Sequence, residues 1–217
     1  MGRFVDLSFV IEDGMPALPG FLPEAVVEPI LDHEASRPRY RGKAEFYLGR
    51  VDMAGNTGTY VDAPFHRHRS GDDLSELALE RLAGLPAVVI DGPDAPGPVD
   101  IRPGGELGGR AVLIRTGWDR RWPDESYWSP GPFLSEGTVD RLLEDEAVLV
   151  GVDFTNVDDT SNPARPAHTR LLGAGIPIVE HLRGLDALPA SPFRFFAVPP
   201  RIVRGASFPV RAFAEVD

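Results

Sequence analysis

Four short, uninterrupted apolar runs constrain this chain most: Ala87-Val-Val-Ile90, Ala111-Val-Leu-Ile114, Ala147-Val-Leu-Val-Gly-Val152 and Ile176-Pro-Ile-Val179. A strand with one wet face alternates apolar and polar residues, so runs without alternation belong to a sheet covered on both faces. Helical patterns lie between them. Ser135 to Glu144 has apolar residues at helical spacing behind a serine suited to cap the first turn, and Ala164 to Leu172 is stopped by Gly173 and Gly175. This rhythm predicts parallel pairing in the second half. In the first half, Phe4 to Ile11 and Glu45 to Met53 alternate more and sit among Pro and Gly turns, which predicts antiparallel pairing. The expected architecture is one α/β domain over residues 1–217, a mixed sheet with an antiparallel N-terminal part. The segments Asp91 to Pro98 and Arg102 to Gly105, dense in Pro and Gly, read as a surface excursion between two buried strands.

Composition narrows the chemistry. The 217 residues include no cysteine and five histidines, His33, His66, His68, His168 and His181. Disulfide frameworks, zinc fingers, iron–sulfur clusters and thiol nucleophiles are thereby excluded. A formal charge of −11 without any Lys/Arg cluster argues against nucleic acid or an anionic membrane as partner. No apolar run approaches the roughly 20 residues of a membrane span. The opening Met1-Gly-Arg-Phe-Val-Asp6 turns acidic where a signal peptide would turn apolar, so a cytoplasmic protein is expected.

Two segments carry candidate chemistry. In Gly55-Asn-Thr-Gly-Thr-Tyr-Val-Asp-Ala-Pro-Phe-His66 the β-favouring residues Thr57, Thr59 and Val61 predict extended backbone. Alternation would then aim Asn56, Tyr60 and Asp62 at one face, with Gly58 leaving space between them and His66 following on a loop after Pro64. The plainer alternative is an edge strand whose Asp62 caps a turn and whose His66 is solvated. In Pro166 to Leu182, His168 falls in the first turns of a helix and Glu180 at the carboxyl end of a buried strand, where sites on open α/β sheets collect. His181 should face away from Glu180 as an ordinary partly buried histidine, and His33 and His68 read as surface residues.

These segments resemble the cyclase family of metal-dependent hydrolases, which includes bacterial kynurenine formamidase and isatin hydrolase. Val5-Asp-Leu-Ser to Met15-Pro-Ala-Leu-Pro-Gly20 is similar to the family's opening, and Thr57-Gly-Thr-Tyr-Val-Asp-Ala-Pro-Phe-His66 to its HxGTHxDxPxH signature. Leu113 to Trp118, Gly151-Val-Asp153, His168 to Leu172, Gly175 to Glu180 and Phe208 to Phe213 follow in matching order. The resemblance implies a swivelling β/β/α fold, usually dimeric or tetrameric, that hydrolyses an amide, formamide or lactam of a small aromatic or cyclic substrate. It further implies that Asp62, His168 and Glu180 hold a metal and that His66 is the general acid/base. Two signature histidines are replaced by Asn56 and Tyr60, and Asn156 stands where the family often has Ser. An amide oxygen and a phenol are poor substitutes for imidazole, so a two-metal centre is not expected.

Three functional readings follow. The first is a hydrolase with one divalent metal, Mn or Zn, on Asp62, His168 and Glu180, completed by Tyr60 or Asn56, with His66 moving the proton. The second is a metal-independent cyclase, dehydratase or isomerase in which Asn56 and Tyr60 donate to an oxyanion and His66 works with Glu180 or Asp62. The third is a non-enzymatic binding protein that retains the fold. Trp118, Trp122, Tyr127 and Trp128 could form a lid over a planar substrate or pack on the body, and Arg67 and Arg69 could bind a substrate carboxylate or stay solvated. The expected partners are a small-molecule substrate and a second copy of the chain, as homodimer or homotetramer.

Overall fold

A computed structural model describes residues 2–101 and 106–217. Its strands are β1 (Arg3–Asp6), β2 (Val26–Leu31), β3 (Leu48–Asp52), β4 (Tyr60–Asp62), β5 (Leu85–Asp91), β6 (Gly97–Val99), β7 (Ala111–Arg115), β8 (Pro132–Leu134), β9 (Leu149–Val152), β10 (Ile178–Glu180), β11 (Phe193–Phe196), β12 (Ser207–Pro209) and β13 (Phe213–Val216). Its helices are α1 (His33–Ser36), α2 (Glu136–Glu144) and α3 (Pro166–Gly173), with short 3-10 turns between elements.

Nine strands form one mixed sheet in the order β1-β13-β11-β5-β7-β9-β10-β4-β12. The four apolar runs supply β5, β7, β9 and β10, which pair in parallel at its centre. Strand β7 shows why its sequence does not alternate. Val112 and Ile114 join one buried cluster, which includes Val139 and Leu142 of α2 and Leu171 of α3, while Ala111 and Leu113 join another with Leu7, Leu182 and Phe195. Each fully buried aliphatic side chain of this kind contributes roughly 1.5–3 kcal/mol. Antiparallel strands flank the parallel centre: β11, β13 and β1 on one side, β4 and β12 on the other. This is the mixed sheet the sequence leads one to expect.

Local signals set the helix ends. Ser135 accepts from the Thr138 N–H and caps α2, a contact worth about 1 kcal/mol. Three expectations are narrowed. Both N-terminal segments pair antiparallel as expected, but of Phe4 to Ile11 only Phe4 to Asp6 lies in β1, and Leu48–Asp52 pairs with β2 in a separate, largely exposed two-stranded ribbon. The Asp91 to Pro98 excursion leads into a short strand, β6, paired in parallel with β8, and Arg102 to Gly105 lies outside the described residues. Among the described residues, no helix is long and apolar enough to cross a membrane.

Candidate active site

The site is built where β4 runs between β10 and β12. Antiparallel register sets Tyr60 opposite Glu180, and Asp62 opposite Ser207. Residues directly opposite share a face, so Tyr60, Asp62, Glu180 and Ser207 meet on one side of the sheet. The Tyr60 hydroxyl donates to Glu180 Oε2, and the Ser207 hydroxyl donates to Asp62 Oδ1. The strand itself is only three residues long. Asn56 therefore reaches the site from the preceding turn rather than by strand alternation, and Gly58 serves a backbone φ of 62° there rather than leaving a gap.

His66 closes the 3-10 turn Pro64–His66 after β4, a third of its side chain exposed, with Nδ1 3.1 Å from Ser207 Oγ and 3.5 Å from Asp62 Oδ1. His168 faces it from the first turn of α3, the two rings 5.5 Å apart. Asp158 fixes His168: it accepts from the backbone N–H groups of Ala167 (2.7 Å) and His168 (3.1 Å) and from His168 Nδ1 (2.7 Å). With Nδ1 engaged by that carboxylate, Nε2 points into the site, 3.6 Å from Asp62 Oδ2 and 3.6 Å from Glu180 Oε1.

Whether a metal fits can be read from three atoms. Among the described residues Asp62 Oδ2 is buried without a hydrogen-bond partner, an expensive arrangement for a carboxylate unless a cation completes it. Ligand atoms bound at zinc-like distances in a tetrahedron lie about 3.4 Å apart, close to the separations around His168 Nε2. Glu180 Oε1 already accepts the Val157 N–H at 2.7 Å, which orients it without using all its lone pairs. Asp62, His66 and His168 likewise offer ligand atoms within 4.8 Å of one another. A divalent ion therefore fits the donor set Asp62, His66 and His168, which Glu180 approaches through His168 Nε2.

The electrostatics assign protonation states. Burial, with Glu180 and Asp62 adding to it, drives the Tyr60 phenol well above its ordinary range, so it stays a neutral donor. Burial also raises Glu180, against the pull of His168, and lowers His66, which keeps that imidazole neutral near pH 7. Around His168 burial opposes charge, yet Glu180, Asp158 and Asp62 overcome it and shift the group upward: this is a pocket made for positive charge.

Two findings depart from the sequence reading of the histidines. His181 does not face away, because its φ of 58° breaks the alternation and turns the ring back onto the cavity wall, with Nδ1 2.7 Å from the Tyr127 hydroxyl. Burial lowers its pKa to about 4. His68 is partly buried, its Nε2 2.9 Å from the Thr169 carbonyl, which ties the loop after β4 to α3. His33 is exposed as expected.

The side chains enclose a cavity of about 260 Å³, lined on its polar side by Asn56, Tyr60, His66, His168, Glu180 and His181. Leu18, Phe21 and Trp128 supply an apolar wall, and Arg67 and Arg165 the rest of the rim. Of the aromatic loop only Trp128 reaches this cavity; Trp118, Trp122 and Tyr127 pack into the body. Asn156 also lines it, and its Oδ1 accepts from Asp158 N–H and Arg165 Nη1. Sequence reasoning missed Ser207, Asp158 and Arg165. Strand register, a helix cap and a left-handed residue place them, and none leaves a spacing signal.

Fold and site together define a member of an enzyme family. The family described as "Putative cyclase" matches residues 5–159, and the chain belongs to it. It is 34% identical over 183 residues to the kynurenine formamidase of Salinibacter ruber, covering 80% of this chain and 82% of that one. The kynurenine formamidase of Geobacillus thermodenitrificans is 28% identical over 217 residues, covering 98% and 97%. Isatin hydrolase A from Ralstonia solanacearum superposes with a TM-score of 0.85 at 28% identity, covering 100% of this chain and 92% of that one. The swivelling cyclase-like fold is thus the one observed, and the protein is a hydrolase-type enzyme of the cyclase family.

Proposed function

We propose that the protein hydrolyses the amide, formamide, lactam or lactone bond of a small aromatic or cyclic substrate, using one divalent metal, Mn or Zn, held by Asp62, His168 and Glu180. The observation that carries this reading is the buried Asp62 Oδ2, without a hydrogen-bond partner among the described residues and 3.6 Å from His168 Nε2, whose ring lines the cavity. When bound, such an ion polarises a carbonyl and acidifies a water enough for attack near neutral pH. His66, neutral and partly open to solvent, takes a proton from the attacking water and returns it to the leaving nitrogen or oxygen. Ser207 holds Asp62 from one side and stands near His66 Nδ1, coupling the base to the carboxylate. Tyr60 keeps Glu180 in place, which favours hydrolysis over the metal-independent cyclase reading, since its hydroxyl is committed to that carboxylate rather than to an oxyanion. Asn56 remains as an amide donor on the wall. The exposed apolar residues Val27, Ile30, Leu48 and Val51 of the β2–β3 ribbon support assembly as a homodimer or homotetramer.

The test is metal analysis of protein purified without chelator, paired with a screen of N-formyl aromatic amines, lactams and lactones with and without added Mn. Near-stoichiometric Mn or Zn and turnover abolished by chelation are expected, with His66→Ala slowing turnover roughly 10²- to 10⁴-fold. Full turnover by metal-free protein, or an unimpaired His66→Ala variant, would overturn the reading.

A further inference from the structure

We infer that Arg67 and Arg165 form a carboxylate-binding subsite on the rim of the catalytic cavity, so that the substrate carries a carboxylate beside its scissile bond. This rests on the hydrolytic reading of the same cavity. Both residues line that cavity with His66, His168 and Glu180. Each is fixed by neutral acceptors: Arg67 Nε donates to Thr169 Oγ1 (3.0 Å) and Nη2 to the Ala164 carbonyl (3.2 Å), while Arg165 Nη1 donates to Asn156 Oδ1 (2.9 Å). These bonds set position without neutralising charge. Among the described residues neither guanidinium has a carboxylate within 4.0 Å, whereas Arg115, Arg120 and Arg170 elsewhere all do. Asp159 lies within electrostatic reach of Arg165 but is occupied by the Ser161 N–H and hydroxyl.

The backbone adds an independent observation. Arg165 is left-handed, φ 46° and ψ 61°, directly before α3. A long side chain is rarely held there, and such strain collects at functional positions. The conformation brings the guanidinium to the cavity that His168, three residues on, also lines. In a chain of net charge −11, two uncompensated guanidiniums on one rim are no by-product of a basic surface. Two planar, multiply donating cations suit a carboxylate. Of Arg67 and Arg69, which the sequence left as either carboxylate ligands or solvated residues, only Arg67 lines the cavity, and Arg165 joins it there.

The experiment compares N-formylanthranilate, which bears a carboxylate, with formanilide, which does not. The wild type should prefer the acid in kcat/KM. Arg165→Gln should reduce that preference roughly tenfold to a hundredfold, and the more exposed Arg67→Gln roughly threefold to tenfold, while Arg69→Gln keeps the wild-type ratio. Should Gln disturb the left-handed backbone, Arg165→Asn suits it and must give the same loss. Calorimetric titration with benzoate reads the subsite without turnover, and both arginine variants should weaken it. Equal use of the two compounds with benzoate affinity unchanged in both variants overturns the subsite. Hydrolysis of neither compound, and of none of the lactams and lactones in the screen above, overturns the hydrolytic reading instead, and the benzoate titration still decides the arginines.

Discussion

Asp62 and Asp153 are both fully buried, one ending β4 and the other following β9, on either side of β10. Their surroundings are opposite. Asp153 Oδ1 accepts the Thr116 hydroxyl at 2.7 Å, and Oδ2 accepts the N–H groups of Thr116 (2.9 Å) and Gly117 (2.7 Å). Burial raises Asp153 to about 6 against those donors, which lower it. Among the described residues Asp62 has one oxygen on Ser207 and the other without a hydrogen-bond partner. A buried carboxylate surrounded by donors ties the chain after β7 to the chain after β9. A buried carboxylate left half empty, opposite an imidazole nitrogen, is a place for a cation.

The sharpest way to break that comparison is to neutralise each group in turn. Asp62→Asn should remove turnover, by roughly 10³-fold or more given the several kcal/mol a metal ion supplies to such reactions, and should cost the metal-free protein little stability. Asp153→Asn should do the reverse. Its amide NH₂ would confront backbone donors, leaving buried groups unsatisfied at about 3 kcal/mol, or roughly a 10 °C lower Tm for a chain of this size. Kinetics and thermal melts on both variants check this. If Asp62→Asn unfolds the metal-free chain while Asp153→Asn melts like wild type, the two roles have been assigned backwards.

What the sequence made legible divides along the same line. The apolar runs of β5, β7, β9 and β10 are visible because a strand buried on both faces must be apolar throughout, and Ser135 announces α2 because a cap needs a short oxygen-bearing side chain. Strands β12 and β13 give weaker signals, being short and with their side chains only partly covered. Asp62, His66, His168 and Glu180 were readable as a resemblance to known motifs, and the structure puts His66, His168 and Glu180 on one cavity wall with Asp62 buried beside them, 3.5 Å from His66 and 3.6 Å from His168. Ser207 depends on register between strands 145 residues apart, and His181 on a single positive φ, so neither shows in local pattern.

A smaller effect is expected one bond away from the empty oxygen. The Asp158 side chain touches the cavity lining only through His168, whose Nδ1 it engages while capping the start of α3. Asp158→Asn keeps the shape but reverses the donor at one position, freeing the ring to turn. Partners of ligating histidines typically contribute 10- to 100-fold to metal affinity. Competition against a calibrated chelator should show a loss in that range, with the fold intact by circular dichroism. An unchanged affinity would mean that Asp158 serves α3 alone.

The smallest effect tests a group that belongs with Asp153 rather than with Asp62. His181 lines the cavity, yet it is buried, bonded to Tyr127, and held neutral with its pKa lowered to about 4. In the unfolded chain it titrates near 6.5. Between those values the unfolded state binds more protons, so the histidine's contribution is complete above pH 6.5 and is lost as pH falls toward about 4. From pH 7 to pH 5 the linkage amounts to about 2 kcal/mol. The raised Asp153 carboxyl acts with the opposite sign over part of the same window, so the wild type alone cannot isolate the term. The difference between wild type and His181→Asn can, because asparagine tolerates the left-handed backbone and does not titrate. Urea unfolding of both at pH 7 and pH 5 should show the wild type losing more stability than the variant. If the two lose the same amount, His181 is reached by protons in the folded state, and the cavity wall is wetter than its burial implies.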